Sequence, residues 1–451
     1  MKSLFKKIFN IFGIDGAIFY TSSSQIISAL GGLVTVFLIA QFMTPDVQGF
    51  YYTFASVLAI QTFFELGLGG ILNQYTAHEM AYLKFTSLSQ LEGEEKNLSR
   101  LSSLMHFCVK WYAIASGLLF FCLILVGFWY FNTFGQQYPD ANWKLPWVLV
   151  SLGASLNLLI SPWMSLLKGM NKIEEMAKTS FIKQLTILPV TWGSLVLGAQ
   201  LYIPAINLLT GFFTLLIIYL NTSYPKLLIN TYKHKITEAI SYRYEIFPLQ
   251  WKIAISWVSG YFIFQLFNPV VFAYNGAIAA GKVGMTITIL GAITSFVESW
   301  TTTKVPTWSS FIAKKEYNKL DLSFKKTMKQ STLISILCII CAIFFIFITN
   351  LFNSPLADRF LSLILCVIIF GTIPFNNINN GMATYLRCHK KEPFLVQAVI
   401  AAVLIASSTI FGAKYFGVDA VIIGYSAIII FIYFPLGYLL FKHYKKVYHE
   451  Q

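Results

Sequence analysis

Apolar stretches long enough to cross a bilayer recur along this chain from residue 16 to residue 441. A span needs about 20 predominantly apolar residues, at 1.5 Å rise each, to cross a ~30 Å hydrocarbon core. Inside that core every backbone N–H and C=O must be paired within the protein, so only helices and closed barrels qualify. These runs are too long and too continuous for barrel strands of about ten residues. Composition agrees: hydrophobic residues make up 56% of the 451 and charged residues 12%, about half the ~25% charge of a soluble domain. The expected fold class is an all-α membrane protein with about twelve transmembrane helices.

The expected spans are 16–42, 50–78, 106–130, 146–168, 177–199 and 202–224, then 251–272, 282–304, 329–350, 359–384, 393–412 and 418–441. Threaded with the N-terminus inside, they leave the C-terminus inside as well. Of the 33 Lys and Arg, Lys144, Lys282, Arg359 and Lys414 fall on the outer side. The other 29 fall in inner loops, in the termini or within the cytoplasmic third of a span. That bias is the positive-inside pattern, and it accounts for the net charge of +14 without nucleic acid. Both termini are therefore expected to be cytoplasmic.

The outer loops are short. The inner segments 79–105, 225–250 and 305–328 are charged and too short for independent cores; they are expected to be amphipathic helices on the membrane surface. The first residues, MKSLFKKIFNIFGIDG, lack the long apolar core and small-residue cleavage site of a signal peptide. A short helix lying on the inner membrane face is expected there.

The segment 225–250 divides the chain into two six-helix halves, 1–225 and 226–451. The halves are weakly alike. In the first, an outer turn, MTPDVQG, leads into a span holding Glu65; in the second, an outer turn, AAGKVG, leads into a span holding Glu298. Gly49 and Gly284 occupy corresponding places in that alignment. A duplicated unit places a transport site at the interface between repeats.

Ionisable groups within spans are expensive and mark candidate sites. Glu65 shares a face with Gln61, Gly69 and Asn73 at four-residue spacing. Glu298 shares one with Gly291, Thr294, Ser295, Thr301 and Thr302. Each carboxylate either faces a cavity or bonds a neighbouring helix as packing glue. Lys183 lies about 9 Å into its span; it either lines an anion-binding cavity or snorkels to the interface. Lys252 and Lys110 are shallower, which favours snorkelling. The tenth span carries FNNINNGMATYLRCHKKEP. Its amides, Asn376 and Asn377 foremost, either unwind the helix to coordinate a ligand or hydrogen-bond between helices.

Other chemistries find little support. The six cysteines include Cys338 and Cys341 at CxxC spacing, but inside an apolar run that suits packing better than redox or metal work. No histidine pair has metal-ligand spacing within a span, so neither a metal nor a cofactor is expected. A GxxxxGK[ST] phosphate loop is absent.

The segments QFMTPDVQGFYYTF, FFELGLGGILNQYTAHEMA and YLRCHKKEPF resemble the O-antigen (Wzx-type) flippases of the multidrug/oligosaccharidyl-lipid/polysaccharide exporter superfamily. The resemblance covers the whole chain and implies two six-helix bundles around a central cavity that opens to alternate sides. It implies movement of an undecaprenyl-pyrophosphate-linked oligosaccharide, an O-antigen or similar repeat unit, from the inner to the outer leaflet of the bacterial inner membrane. Cationic residues would receive the pyrophosphate; Lys183 is the deepest candidate here, and a deep Arg is missing. Glu65 or Glu298 would couple transport to a proton or sodium gradient. A cation-coupled small-molecule antiporter of the same superfamily is the alternative. An enzyme of the same pathway is disfavoured, because the outer loops are short and their acids, Asp46, Asp140, Asp358 and Asp419, are scattered.

Overall fold

The computed structural model describes residues 16–220, 223–352, 354–389 and 392–449. The N-terminal segment expected on the membrane face lies outside these residues. In chain order the helices begin with α1 (Gly16–Phe42), α2 (Pro45–Leu58), α3 (Thr62–Glu65) and α4 (Leu68–Met80). After a hairpin of β1 (Leu83–Ser87) and β2 (Gln90–Gly93) come α5 (Glu95–Phe134), α6 (Lys144–Gly169), α7 (Ile173–Val196), α8 (Ile206–Leu220) and α9 (Ser223–Tyr232). Next are α10 (Phe247–Phe264), α11 (Phe267–Thr302), α12 (Val305–Ala313) and α13 (Tyr317–Leu351). The chain ends with α14 (Leu363–Phe370), α15 (Ile373–Arg387), α16 (Leu395–Tyr415), α17 (Val418–Ile428) and α18 (Phe434–His449).

Among the described residues each of the twelve expected spans falls mainly on helix, and the fold is an all-α membrane fold. Among the described residues, ten helical stretches are long and apolar enough to cross a membrane. One of them, Gln250–Ile312, has 63 residues and covers both the seventh and the eighth expected spans. The expected fifth span, α7, is a 24-residue helix outside those ten; Glu174, Glu175, Lys178 and Lys183 dilute its hydropathy.

The helices pack as two compact units. The first comprises Met1–Gly31, Ile60–Phe131 and Asn142–Ala254; the second comprises Gly32–Ala59, Asn132–Ala141 and Ile255–Gln451.

In the first unit small residues let helices approach closely. Trp147 of α6 is fully buried and lies over Gly127 of α5, with its indole N–H donating to Leu123 O at 3.0 Å. Gly169 of α6 lies against Thr76 and the backbone of α4 at Asn73. The segment following α9 is fastened to the start of α5. Ser99 Oγ accepts from the N–H groups of Thr237 and Glu238 at 2.7 and 2.8 Å, and His106 stacks on Tyr232 at 3.8 Å. Arg100 bridges Glu79 of α4 at 3.0 Å and Glu245 at 2.5 Å. Glu79, buried to 1% exposure, also accepts from Asn97 at 2.7 Å.

In the second unit α2 crosses α11 at glycines. The backbone of Gly49 meets Ala277, and Gly281 meets Pro45 and Gly49. The pair is nearly symmetric, each glycine touching the residue four places before the other. Gln48, 1% exposed, donates to Gly281 O at 2.9 Å. Arg359 donates to Met43 O at 2.6 Å and to Gln48 Oε1 at 3.3 Å, which satisfies a carbonyl just past the end of α1. Phe50, fully buried, packs edge-on against Phe272 at 4.9 Å.

Three local expectations are corrected. The segment 79–105 holds the antiparallel β1–β2 hairpin followed by α5, not a surface helix. The second-half outer turn is not AAGKVG, which lies within α11. The break falls at Gly276, with φ 86° and ψ 171°, a backbone region that favours glycine. The parts on either side fold back on each other, so that Asn268 lies against Gly284. The glycine that meets Gly49 is Gly281. Finally, the expected second span is interrupted. After Glu65, Leu66 and Gly67 take left-handed conformations with φ 49° and 67°, so Asn73 does not continue the helical stripe that holds Glu65.

Candidate functional site

The second unit encloses a cavity of about 390 Å³ between α2, α11, α15 and α17. Its wall on α11 presents Gly291, Thr294, Ser295 and Glu298, recurring at three- and four-residue spacing, which places them on one helical face. Ser56 of α2, Asn376 and Asn380 of α15 and Tyr425 of α17 add to the polar lining, as do Tyr52, Gln265, Asn268 and Thr288.

Glu298 is the carboxylate of this cavity. Asn380 donates an amide N–H to Glu298 Oε1 at 2.6 Å. Among the described residues no ion pair engages Glu298. Arg387, two turns beyond Asn380 on the same helix, is within electrostatic range, but its guanidinium is paired with Glu392 through bonds of 2.6 and 2.9 Å. A half-buried carboxylate with one amide donor and no adjacent cation is costly in an apolar surround. A bound cation or proton would lower that cost.

The asparagines of α15 lie in an unbroken helix, so the unwound alternative is not what forms. Each instead reaches a different neighbour. Asn376 donates to the Tyr425 hydroxyl at 3.4 Å, and Asn377 to Ser331 Oγ of α13 at 3.0 Å. Asn379 Oδ1 accepts from Gln397 of α16 at 2.8 Å. Asn376 and Asn380 line the cavity; Asn377 faces α13 and does not. The carbonyl oxygens of Asn376 and Asn268 and the Thr294 hydroxyl are buried without a hydrogen-bond partner among the described residues. Thr294 and Asn376 each lie one helical turn from the Glu298–Asn380 pair, whereas Asn268 lies against Gly284, about four turns away along α11.

Glu65, Lys183 and Lys252 belong to the first unit. Glu65 ends α3, and its Oε1 lies beside Gly69 in the first turn of α4, near Ser165 Oγ of α6. A carboxylate at a helix start is favoured by the unpaired N–H groups there. The Leu66–Gly67 break therefore creates a half-helix end at Glu65 within the bilayer-spanning segment. Lys183 lies half-buried along α7. Lys252 is exposed in the second turn of α10, with its ammonium 5.8 Å from the Trp251 ring centre.

Sequence reasoning missed Asn380 as the partner of Glu298. The four-asparagine run was visible, but which amide faces α11 depends on helix rotation. Among the described residues no three His, Cys, Asp or Glu cluster as metal ligands.

No protein-family description matches the chain, and no curated protein sequence does. Solved structures do match over nearly the whole length. An inward-facing multidrug resistance MATE family transporter of the MOP superfamily aligns with TM-score 0.69 at 13% identity, over 95% of this chain and 99% of that one. The lipid II flippase MurJ in an inward closed conformation gives 0.62 at 16% identity, over 94% and 87%. An outward-facing MATE family transporter of the MOP superfamily gives 0.54 at 13%, over 95% and 96%. The fold is the one these transporters share.

Proposed function

We propose that this protein is a transporter of the inner bacterial membrane that moves an undecaprenyl-pyrophosphate-linked oligosaccharide between leaflets by alternating access. The observation that carries the reading is the Glu298–Asn380 pair on the wall of a largely apolar cavity, within a fold shared with a lipid II flippase. A flippase cargo with an anionic pyrophosphate needs cationic contacts, for which Lys183 and Lys252 are the candidates. Lys is a point charge and not a bidentate fork, so recognition would rest on charge more than on geometry. Glu298, and Glu65 at its helix break, are the candidates for coupling to a proton or sodium ion. Its place on a cavity wall beside the Asn380 amide favours Glu298 of the two.

A cation-coupled small-molecule antiporter is the second reading, favoured by the multidrug MATE transporter at TM-score 0.69. The motif resemblance to O-antigen flippases favours the first.

Deletion of the gene in its native host tests the choice. The flippase reading expects lipid-linked repeat units to accumulate on the inner leaflet. Unchanged lipid-linked pools, together with drug resistance conferred on a sensitised strain, would establish the antiporter instead. Within either reading, Glu298→Gln and Glu65→Gln should each abolish transport on well-expressed protein; full activity removes that residue from the mechanism.

A further inference from the structure

The cavity of the second unit offers hydrogen bonds that its own side chains do not use. Asn268 and Asn376 are 6% and 5% exposed, and both line it. The carbonyl oxygen of each is buried without a partner among the described residues. A buried acceptor calls for a donor from whatever fills the space beside it, water or ligand. The two acceptors stand far apart. Asn376 is one turn from the Glu298–Asn380 pair, whereas Asn268 lies against Gly284, about 20 Å before Glu298 along α11.

The walls between these points are low on one side and aromatic elsewhere. Gly291 and Ser295 line the cavity on α11, and nothing lies within 4 Å of a Cβ added at Gly291. Rings come from Tyr52, Phe264, Phe267 and Tyr425, with Phe267 edge-on to Tyr425 at 4.9 Å. The negative face of an aromatic ring attracts the weakly positive C–H groups of a sugar ring, and sugar hydroxyls both donate and accept. A compact organic cation would pair with Glu298 but leave Asn268 unanswered. A chain of sugar rings carries hydroxyls along its whole length.

Glu298 adds a selection by charge. Its Oε1 accepts from Asn380 at 2.6 Å, and Oε2 can accept from a sugar hydroxyl. Arg387 is engaged with Glu392 and is not part of the lining. An acidic sugar here would meet the like charge of the carboxylate. On the flippase reading, whose cargo carries sugars and on which this step rests, we infer that the cavity holds the sugar chain of the cargo and selects sugars without negative charge. Glu298 and Asn380 set that selection. A carboxylate that accepts a sugar hydroxyl in one state can take a coupling ion in another.

The test uses the full chain in phosphatidylcholine nanodiscs, with saturation-transfer NMR reading contact with free sugars. The probes are maltotriose, and glucose and galactose each beside its uronic acid. Wild type at neutral pH should contact the neutral sugars, and the uronates about tenfold less. Glu298→Gln keeps the hydrogen bonding, removes the charge and should raise the uronates to the level of the neutral sugars. Asn380→Ala should weaken neutral-sugar contact about fivefold. Gly291→Leu fills the cavity and should abolish contact at an unchanged unfolding midpoint. Neutral-sugar contact that persists in Gly291→Leu, or its absence from folded wild type, overturns the sugar site. Uronates contacted as well as neutral sugars by wild type overturn the selection. Tetraphenylphosphonium bound by wild type and lost in Gly291→Leu, with no sugar contact, makes the cavity an organic-cation site instead. Absent sugar contact with lipid-linked units accumulating on deletion rejects the sugar site alone; sugar contact with unchanged pools rejects the flippase reading alone.

Discussion

Gly49 and Gly281 meet backbone to backbone, in a crossing where each also touches the residue four places before the other. No side chain separates the two helices there, so the crossing tolerates no added Cβ. At Gly49 that atom would overlap the Ala277 carbonyl; at Gly281 it would lie 3.1 Å from both Gly49 N and Pro45 O. Gly49→Ala should therefore destabilise by about 3 kcal/mol and Gly281→Ala by about 1 kcal/mol, within the range for overpacking. Gly193→Ala is the control, because nothing lies within 4 Å of its added Cβ, and alanine favours helix by up to about 1 kcal/mol. Thermal unfolding midpoints in detergent would rank the three.

The Glu298–Asn380 bond makes a second prediction. Asn380→Ala leaves the carboxylate without its amide donor and should reduce transport partially. Glu298→Gln should remove transport altogether. If the amide acts only through the carboxylate, the double variant should bind cargo no more weakly than Glu298→Gln alone. Binding losses that multiply would place Asn380 in contact with cargo independently.

Arg100 joins Glu79 and Glu245 outside the deep part of the bundle. Partial burial pushes the Glu245 carboxyl up, but the Arg100 hydrogen bond, the Ser241 N–H and the Arg100 charge outweigh it, so the pKa is lowered from 4.5. A lowered folded pKa gives stability that is present above the unfolded value and lost as pH falls through the folded one. Glu245→Gln should thus be less stable than wild type at pH 7, and the difference should shrink below about pH 4.5. It should be small, because the Glu245 side chain is 32% exposed. Arg100→Ala should cost more, about 3 kcal/mol, because Glu79 is then left buried without a cation. Unfolding midpoints across this pH range would check both.

The break after Glu65 rests on two residues with positive φ. Gly67→Ala should destabilise by about 1 kcal/mol, the cost of a left-handed conformation for a residue with a Cβ. Leu66 already bears that cost at φ 49°. Leu66→Gly should relieve the strain and leave the midpoint at or above wild type, unless the lost side-chain packing exceeds it. A Leu66→Gly protein that unfolds well below wild type would mean that packing, not backbone strain, governs this position.

Much of the architecture was legible because hydropathy is collective: twenty-residue apolar averages survive errors at single positions. Local breaks were not. Asn275–Gly276 is a turn signal, yet it sits within an apolar stretch, while the glycines of AAGKVG, which resemble a turn, serve helix contact instead. At Leu66 the sequence carries no sign of a left-handed backbone, since leucine is rarely found there. The β1–β2 hairpin spans so few residues that its charges dominated the reading of 79–105. At the site, Glu298 was visible as an expensive charge and the asparagines as a cluster. Their pairing was not, because it depends on how α15 is rotated against α11.

The Tyr138 hydroxyl, from the loop after α5, accepts the N–H of Ala277 at 3.1 Å, just past the break at Gly276. The hairpin of α11 is thus completed by a residue synthesised 139 positions earlier. Tyr138 is synthesised before that hairpin emerges, so the order of synthesis suits the contact. Without the Tyr138 hydroxyl the hairpin would close with the N–H of the buried Ala277 unanswered.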